Sequence, residues 1–472
     1  MSHQDHGRRR AQRTHADDLY RALQWLVPRA VLKGIAFRND CTWTPLSLAF
    51  AGLLWAWSDL RPLVQRFSAT RKIIKHWFGK QHEPAESYQA FVKLLRKWTD
   101  PLLVALQQAF RLRMREALSC VWRVGRWLVF AVDGSRVDVP RTRKNEERYS
   151  PKSRLSREAQ KKRRQARRRR AQQEARERKA NVPRIWLTVL WHVGSGLLWA
   201  WRAGPSDSSE RKHLEEMLAE LPADALITAD AGFVGYELWQ KILDAGHHLL
   251  VRVGSNVRLL KKLGYAREHS GLVYLWPDAA SEKLLPPLVL RLIVVHNGRH
   301  PMYLVTSVMD AAKLSDAQAA KIYGRRWGIE LFYRHCKQTF ERCKLRSQNP
   351  DNAMLELHWS LLGMWALGLH SHHRLAVQRG VPVERISFAG ILRAYRGAMR
   401  EYQNCPDSGE RLTEVLDNAI IDGYHRASKA NRNYPRKKQR AATGPPIIRL
   451  ATRQQIRKAL QIKAQPKKRL TA

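Results

Sequence analysis

The sequence predicts an α/β protein, with a mixed β-sheet flanked by helices, a β-rich insertion, and helical regions at both ends of the chain. Up to about residue 125, apolar residues recur at steps of three and four, which is typical of helices. From residue 126, short apolar runs alternate with helical patterns, as in a sheet with packed helices. Residues 256–309 contain successive strand-like runs with no helix predicted between them.

The charge of the chain indicates a polyanionic partner. Its 472 residues include 85 Lys and Arg but only 41 Asp and Glu, a formal net charge of +44. Nucleic acid is favoured over an anionic membrane surface as the source of that polyanion. The most apolar stretch, residues 43–57, is shorter than the roughly 20 residues that cross a bilayer, and it predicts a buried helix. We therefore expect a cytoplasmic protein with no membrane association and with reduced, scattered cysteines.

The periodicity divides the chain into five regions. Residues 1–125 are helical and basic, which fits a DNA-binding domain or, equally, a packing domain with a solvated basic face. Residues 126–255 and 310–375 form the two parts of an α/β core, and residues 256–309 are the insertion between them. Residues 376–472 are helical and basic, which suits DNA contact or dimerisation.

An arginine-rich insert, residues 141–183, interrupts the first part of the core. Its stretch SREAQKKRRQARRRRAQQEARERKA has a helical composition but almost no apolar face, so it cannot pack as core. We predict a solvated arm on a phosphate backbone, and the alternative is a chance likeness to a nuclear-localisation signal. Its candidate DNA-binding residues are Arg167, Arg168, Arg169 and Arg170.

Two apolar strands of the predicted core close on an aspartate. The run LVFAVD ends at Asp133 and the run ALITAD ends at Asp230, and a glycine follows each closely. An acid at the end of a buried strand lies at the rim of the sheet, where α/β proteins bind ligands. Asp before Gly is also a common turn former, which is the structural alternative. Asp138 is a nearby rival, but Asp133 is preferred because it ends the apolar run.

A third acid lies in the predicted helix KIYGRRWGIELFYRHCK. Tyr323, Arg326, Glu330 and Lys337 are separated by steps of 3, 4 and 7, and at about 100° per residue they share an arc of roughly 60°. Arg and Lys can neutralise a phosphate, Tyr can donate a hydrogen bond to it, and Glu can hold a divalent cation. The Arg–Glu step of four would also form an ordinary ion pair.

Together, three carboxylates on a sheet-and-helix frame predict a site of hard oxygen ligands. Such a site suits Mg²⁺ or Mn²⁺ and disfavours Zn²⁺, which prefers His and Cys. Two ions about 3.5–4 Å apart would activate a water or a 3′-hydroxyl and stabilise the leaving oxygen of a displacement at phosphorus. Asp133, Asp230 and Glu330 are therefore the predicted catalytic metal ligands.

These blocks resemble those of bacterial insertion-sequence DDE transposases of the IS-four group, relatives of the Tn-five transposase. Tyr323, Arg326, Glu330 and Lys337 match the family signature Y-x2-R-x3-E-x6-K, and VDGSRVDVP and TADAGF resemble its two aspartate blocks. The resemblance covers about residues 126–345. It implies an RNase H-like core, two Mg²⁺ or Mn²⁺ ions, and cut-and-paste transposition through hairpin ends. It also implies a prokaryotic, nucleoid-associated homodimer acting on terminal inverted repeats and target DNA.

The resemblance further implies that Tyr323, Arg326 and Lys337 contact DNA phosphates. Family members stack a tryptophan of the insertion on a flipped base; Trp276 lies in this insertion, where a core or surface role is equally open. Two other functions remain as alternatives: a non-catalytic DNA-binding protein derived from a transposase, and a structure-specific nuclease on the same fold. Three intact acids argue against the first, and strand transfer at specific ends would separate the second.

Overall fold

The computed structural model describes residues 15–79, 84–151, 182–296, 300–404, 411–421 and 444–464. It contains two compact units, which are treated separately. The helical unit is made of Met1–Cys120, Val137–Ile185 and Arg334–Asp422, and the sheet unit is made of Val121–Arg136, Trp186–Tyr333 and Gly423–Ala472.

Helices and strands alternate only in the middle of the chain. In chain order they are α1 (His15–Leu26), α2 (Pro45–Trp57), α3 (Leu63–Phe78), α4 (Tyr88–Ala117), β1 (Val129–Asp138), α5 (Arg143–Tyr149), β2 (Arg184–His192), β3 (Leu197–Gly204), α6 (Glu210–Met217), β4 (Leu226–Ala229), α7 (Tyr236–Asp244), β5 (His248–Val253), β6 (Arg258–Lys261), β7 (Leu272–Leu275), α8 (Asp278–Glu282), β8 (Leu288–His296), β9 (Pro301–Thr306), α9 (Asp316–Arg325), α10 (Trp327–Arg334), a π-helical turn (His335–Thr339), α11 (Pro350–His372), α12 (Phe388–Asn404), α13 (Leu412–Asp417), β10 (Ile447–Leu450) and α14 (Arg453–Ala464).

The helical unit is built around α2 and α11, which are buried on nearly all sides. α2 begins with a capping box, in which Thr44 and Ser47 each accept a hydrogen bond from the other's backbone N–H. A helix that is apolar all round belongs in a core, and the indole N–H of Trp57 donates to the carbonyl oxygen of Gly363 in α11 (2.9 Å). The buried helix predicted at residues 43–57 is confirmed. None of the described helices is long and apolar enough to cross a bilayer.

The sheet unit holds a ten-stranded sheet in the order β10-β6-β7-β8-β9-β5-β4-β1-β2-β3. Its centre is parallel, because β4 pairs in parallel with both β1 and β5, whereas β2 and β3 form an antiparallel hairpin. α6 packs on β3 and α7 packs on β5. The predicted mixed α/β class is confirmed, and the order β3-β2-β1-β4-β5 agrees with the RNase H-like core that the resemblance implies.

The β-rich insertion extends this sheet. β6, β7, β8 and β9 are successive antiparallel neighbours, and β9 joins them to β5. The five-residue helix α8 lies between β7 and β8, where the sequence predicts strands alone. The C-terminal region, predicted as helical, also contributes a strand: β10 pairs in parallel with β6, and Ala459 of α14 is buried in the same apolar cluster as Tyr274 and Trp276.

The predicted basic insert is described only in its first part. There α5 packs within the helical unit: Asn145 is fully buried, and the hydroxyl of Tyr149 donates a hydrogen bond to the carbonyl oxygen of Pro350 (2.8 Å). This segment is thus part of a packed unit. The predicted phosphate-contacting arginines lie outside the described residues, namely Arg167, Arg168, Arg169 and Arg170.

Candidate active site

Asp133 lies in β1 and Asp230 lies directly after β4, at equivalent positions relative to the pairing of these two parallel strands. The pairing of β1 with β4 matches Ala131 with Thr228, and each aspartate comes two residues later. Because side chains alternate along a strand, two residues at the same register of neighbouring strands point to the same face of the sheet. The carboxyl ends of parallel strands are also the edge at which α/β sheets bind ligands. Strand pairing therefore brings the two predicted acids together.

β1 does not end at Asp133, contrary to the predicted strand end. It continues to Asp138, and the Asp133 carboxylate accepts a hydrogen bond from the N–H of Gly134 (2.9 Å). Asp138 is five residues further on, which places it on the opposite face of the strand. There its carboxylate pairs with the guanidinium of Arg184 (2.9 Å). That ion pair gives Asp138 a structural partner and favours Asp133 for the site.

The sequence allowed two roles for Asp230, as a turn former and as a cation ligand, and its surroundings are compatible with both. β4 ends one residue earlier, and the Asp230 carboxylate accepts a hydrogen bond from the N–H of Gly232 (2.8 Å), which caps a short 3₁₀ turn. The turn-forming alternative is therefore present. A carboxylate has acceptor capacity beyond one such bond, so capping leaves Asp230 able to bind a cation.

The helix that carries Glu330 is fixed on the strands beneath it. The hydroxyl of Tyr333 donates a hydrogen bond to the carbonyl oxygen of Asp133 (2.8 Å). Gly328 leaves space for Trp191 of β2, since a Cβ at that glycine would lie 3.1 Å from the indole nitrogen. These contacts hold α10 on the strand that carries the first aspartate.

Arg326 lies between Tyr323 and Glu330. Its guanidinium donates a hydrogen bond to a carboxylate oxygen of Glu330 (2.7 Å) and lies over the ring of Tyr323, 5.4 Å from the ring centroid. The Arg326 side chain is 11% exposed and that of Glu330 is 32% exposed. The ion pair that helical spacing allows is thus present, but it lies beside the acids and is largely shielded from solvent.

The single helix predicted over residues 321–337 is wrong. α9 ends just before Arg326, whose N–H bonds to the carbonyl oxygen of Tyr323, three residues back (3.1 Å), as in a tightened 3₁₀ turn. Gly324, a poor helix former, lies next to this break. Lys337 falls in the π-helical turn, so the four signature residues do not share the arc of one ideal helix. Lys337 also belongs to the helical unit, whereas the other three belong to the sheet unit.

Burial and neighbouring negative charges raise the pKa of two acids in this group, Asp133 and Glu210. Burial raises the pKa of Asp133 to about 6, and the charges of Asp230 and Glu330 add to that increase. A backbone hydrogen bond and the charge of Arg326 act in the opposite direction without cancelling it. Burial, with the charge of Asp230, also raises the pKa of Glu210. One guanidinium is therefore insufficient to neutralise this group of carboxylates.

Glu210 is a fourth carboxylate in the group, and the sequence did not single it out. It is the first residue of α6, and in the sequence it serves only as a helix-start signal. One of its oxygens lies 2.5 Å from the Cβ position of Gly134, and the other lies 3.2 Å from that of Gly232. The same helix carries Glu215 and Glu216, so no sequence signal distinguishes Glu210 from them.

Comparisons with known proteins agree with this geometry. The sequence profile of a family described as the transposase DDE domain matches residues 127–365, more than half of the chain. The chain belongs to this family. Over 190 residues, or 38% of its length, it is 30% identical to the transposase InsG for insertion sequence element IS4 of Escherichia coli (strain K12). That alignment spans 42% of the relative, so the chain matches less than half of the InsG sequence.

A comparison with solved structures matches a cryo-EM structure of a piggyBac transposase synaptic complex with hairpin DNA. The match covers 88% of both chains, with a TM-score of 0.41 and 11% sequence identity. The family resemblance predicted from the sequence is confirmed by the profile match and the InsG alignment: this chain is a member of the DDE transposase family.

Transposases of the DDE family generally use divalent metal ions, and the acids of this chain fit such an ion in chemistry and charge. Their ligand atoms are carboxylate oxygens, which Mg²⁺ and Mn²⁺ prefer, and a cation would relieve the repulsion that raises the pKa of Asp133. Within the described ranges, no three His, Cys, Asp or Glu side chains are close enough together to enclose an ion. One carboxylate oxygen of Glu330 accepts a hydrogen bond from Arg326, and the acceptor capacity that remains could serve an ion.

Two tryptophans of this DDE domain bear on the base-stacking role that was considered for Trp276. Trp276, the candidate for stacking on a base, is 4% exposed, and its indole N–H donates to the carbonyl oxygen of Leu285 (2.8 Å). Trp276 therefore has the core position that was the alternative to base stacking, because both faces of its ring are packed.

Trp327 lies between Arg326 and Glu330 in the chain and is 57% exposed. Among the large apolar side chains that are exposed in the described residues, it is the only tryptophan. With 17 tryptophans in the chain, the sequence alone did not identify it.

Proposed function

We propose that this chain is a DDE transposase, which cuts transposon ends and joins them to target DNA by metal-dependent phosphodiester hydrolysis and strand transfer. The observation that carries the proposal is that the charges of Asp230 and Glu330 both act on the half-buried carboxylate of Asp133 and raise its pKa. An acid with a raised pKa among further carboxylates is typical of a functional site, and a bound cation would offset the repulsion.

The residues around the acids have distinct parts in this proposal. Asp133, Asp230 and Glu330 hold two Mg²⁺ or Mn²⁺ ions, which when bound activate the attacking water or 3′-hydroxyl and stabilise the leaving oxygen. Once Glu330 turns to the ions, the guanidinium of Arg326 is released to bind a DNA phosphate. Tyr323 supports Arg326 through its ring.

DNA is the proposed substrate. The net charge of +44 supports a nucleic-acid partner, and the exposed ring of Trp327, three residues before Glu330 in the chain, is suited to stacking on a base. In the same proposal Lys337 and the arginines of the basic insert contact the phosphate backbone. We further propose a homodimer in a synaptic complex with paired terminal inverted repeats, working in a prokaryotic, nucleoid-associated setting.

The proposal is tested with the full-length protein, Mg²⁺ or Mn²⁺, and DNA that carries the terminal inverted repeats flanking its gene. We expect the wild type to nick the ends and join them to target DNA. We expect Glu330→Gln to bind the ends without cutting them, because the third carboxylate is lost. Glu237→Gln removes an equal charge from the exposed face of α7 and should cut like the wild type.

Two results would contradict the proposal in different ways. A wild type that binds the ends but neither nicks nor joins them with either metal ion would indicate a non-catalytic DNA-binding protein. A wild type that cuts end DNA and unrelated DNA alike, and never joins them, would indicate a nuclease on the same fold.

A further inference from the structure

The carboxylate of Glu210 lies between the two aspartate blocks. Its Oε2 is 2.5 Å from the Cβ position of Gly134, the residue after Asp133. Its Oε1 is 3.2 Å from the Cβ position of Gly232, and Oδ1 of Asp230 is 2.9 Å from that same point. A side chain at either glycine would fill the space that the Glu210 carboxylate uses. The two glycines therefore form a cradle in which Glu210 reaches both aspartate-bearing segments.

Helix capping does not account for this position. The cap of α6 is Ser209, whose hydroxyl accepts a hydrogen bond from the N–H of Lys212 (3.4 Å). Glu210 makes no hydrogen bond or ion pair with any other residue in the described part of the chain. The charge of Arg211 acts on this carboxylate without forming an ion pair, and a half-buried carboxylate that accepts no hydrogen bond is costly unless a cation or a donor completes it.

An unpartnered donor lies beside the same cradle. The indole nitrogen of Trp186 is buried and has no hydrogen-bond partner among the described residues. It lies 3.1 Å from the Cβ position of Gly134, the point that Oε2 of Glu210 also approaches. A donor and an acceptor that face one gap without bonding to each other leave room for a further ligand atom, such as the oxygen of an ion-bound water.

We propose that Glu210 is a fourth carboxylate ligand for the divalent ions, acting next to Asp230 and directly or through a bound water. This inference rests on the proposed function, because it assumes that the three predicted acids bind the ions. It adds a residue from α6 to a site otherwise built from two strands and the Glu330 helix. The chemical class of the ligand is a hard divalent cation, Mg²⁺ or Mn²⁺.

Mn²⁺ binding to the full-length protein without DNA tests the inference independently of cleavage. Isothermal titration calorimetry should show at least about 10-fold weaker Mn²⁺ affinity for Glu210→Gln, as is usual when a ligand or its support is lost. The matched control Glu237→Gln should differ from the wild type by less than about twofold, since its charge is exposed and screened. Unchanged melting temperatures without metal ions would show that both variants fold.

A second variant keeps the test decisive if Glu210→Gln does not fold. Gly134→Ala would place a methyl group against Oε2 of Glu210, so it should also weaken Mn²⁺ binding. If Glu210→Gln binds Mn²⁺ as tightly as the wild type, the inference is overturned, but the proposed site of three acids is not affected. The same conclusion follows from wild-type Mn²⁺ affinity in Gly134→Ala, if that is the only variant that folds. If the wild-type protein binds no Mn²⁺, that result would overturn both the inference and the metal dependence of the proposed function.

Discussion

A buried carboxylate in the helical unit, Glu356, and a half-buried one in the sheet unit, Asp133, have opposite surroundings. Glu356 is 1% exposed, and one of its oxygens accepts hydrogen bonds from the N–H of Arg346, the N–H of Ser347 and the hydroxyl of Ser347 (2.8–3.1 Å). Its charge also acts on the buried guanidinium of Arg342, raising a pKa that burial lowers. Asp133 accepts one backbone hydrogen bond, and two of its charged neighbours are acids.

The difference between the surroundings of Glu356 and Asp133 shows that burial alone does not identify a functional acid. Three donors bind one oxygen of Glu356 and buried guanidinium groups lie near its charge, which is how a structural carboxylate is stabilised within a protein. Two neighbours of Asp133, Asp230 and Glu330, add repulsion to desolvation, and the charge of Arg326 offsets it only in part, so a cation from outside the chain would stabilise the group further. The sign of the surrounding charge therefore separates a structural acid from a candidate metal ligand.

The largest expected effect is on DNA cleavage. Asp133→Asn should lower the rate of metal-dependent cleavage of transposon ends at least about 10³-fold, because bound ions contribute several kcal/mol of transition-state stabilisation. Asp138→Asn is the control on the same strand, and it should retain the rate within about threefold. Rates from single-turnover assays check this, and comparable losses in the two variants would remove the distinction between the strand faces.

The next effect is on stability, and it should have opposite directions in the two units. Glu356→Gln should lower the free energy of unfolding by about 3 kcal/mol, because it leaves buried guanidinium groups without their counter-charge. Asp133→Asn should leave that free energy unchanged or raise it at pH 7 without divalent ions, since it removes repulsion. Urea unfolding followed by circular dichroism measures both. Equal destabilisation would show that Asp133 has a compensating partner in the fold.

The pH dependence of stability gives a smaller effect. Burial raises the pKa of Asp133 from 3.8 to about 6 in the folded state, so the folded state binds this proton more tightly than the unfolded state does. The resulting stabilisation is fully present below about pH 3.8 and is lost as the pH rises through about 6. The difference in unfolding free energy between the wild type and Asp133→Asn should therefore fall by about 1–2 kcal/mol from pH 4 to pH 7. A flat difference over that range would argue against the raised pKa.

The smallest effect concerns the support of the Glu330 helix. Tyr333→Phe removes the hydroxyl that donates to the carbonyl oxygen of Asp133, which should cost about 1 kcal/mol of stability. If the bond also positions Glu330, cleavage should slow several-fold with little change in the affinity for DNA ends. Tyr236→Phe, which loses a similar bond to Pro286 in the same unit, is the matched control and should leave cleavage unchanged.

The sequence predicted the parts of this site that rest on local pattern. Asp133 and Asp230 follow apolar runs, and strand pairing then aligns them. The break at Arg326 was not predictable, because it depends on a tightened turn that ideal helical spacing does not include. Glu210 was not singled out, because its position near both aspartate segments depends on two glycines distant in sequence. Trp276 and Trp327 could not be ranked, since exposure is decided by tertiary packing.

The matched register of β1 and β4 makes the distance between the two aspartates independent of how much chain connects them. Insertions between the strands, including the arginine-rich insert, can lengthen that connection without moving either carboxylate, provided that the strand pairing is kept. Arg326 and Glu330 have no such freedom, because their contact depends on their separation along one local segment. Fixed spacing is therefore informative in the glutamate segment, and variable spacing is tolerated between the aspartates, so a search for relatives should weight the two kinds of block differently.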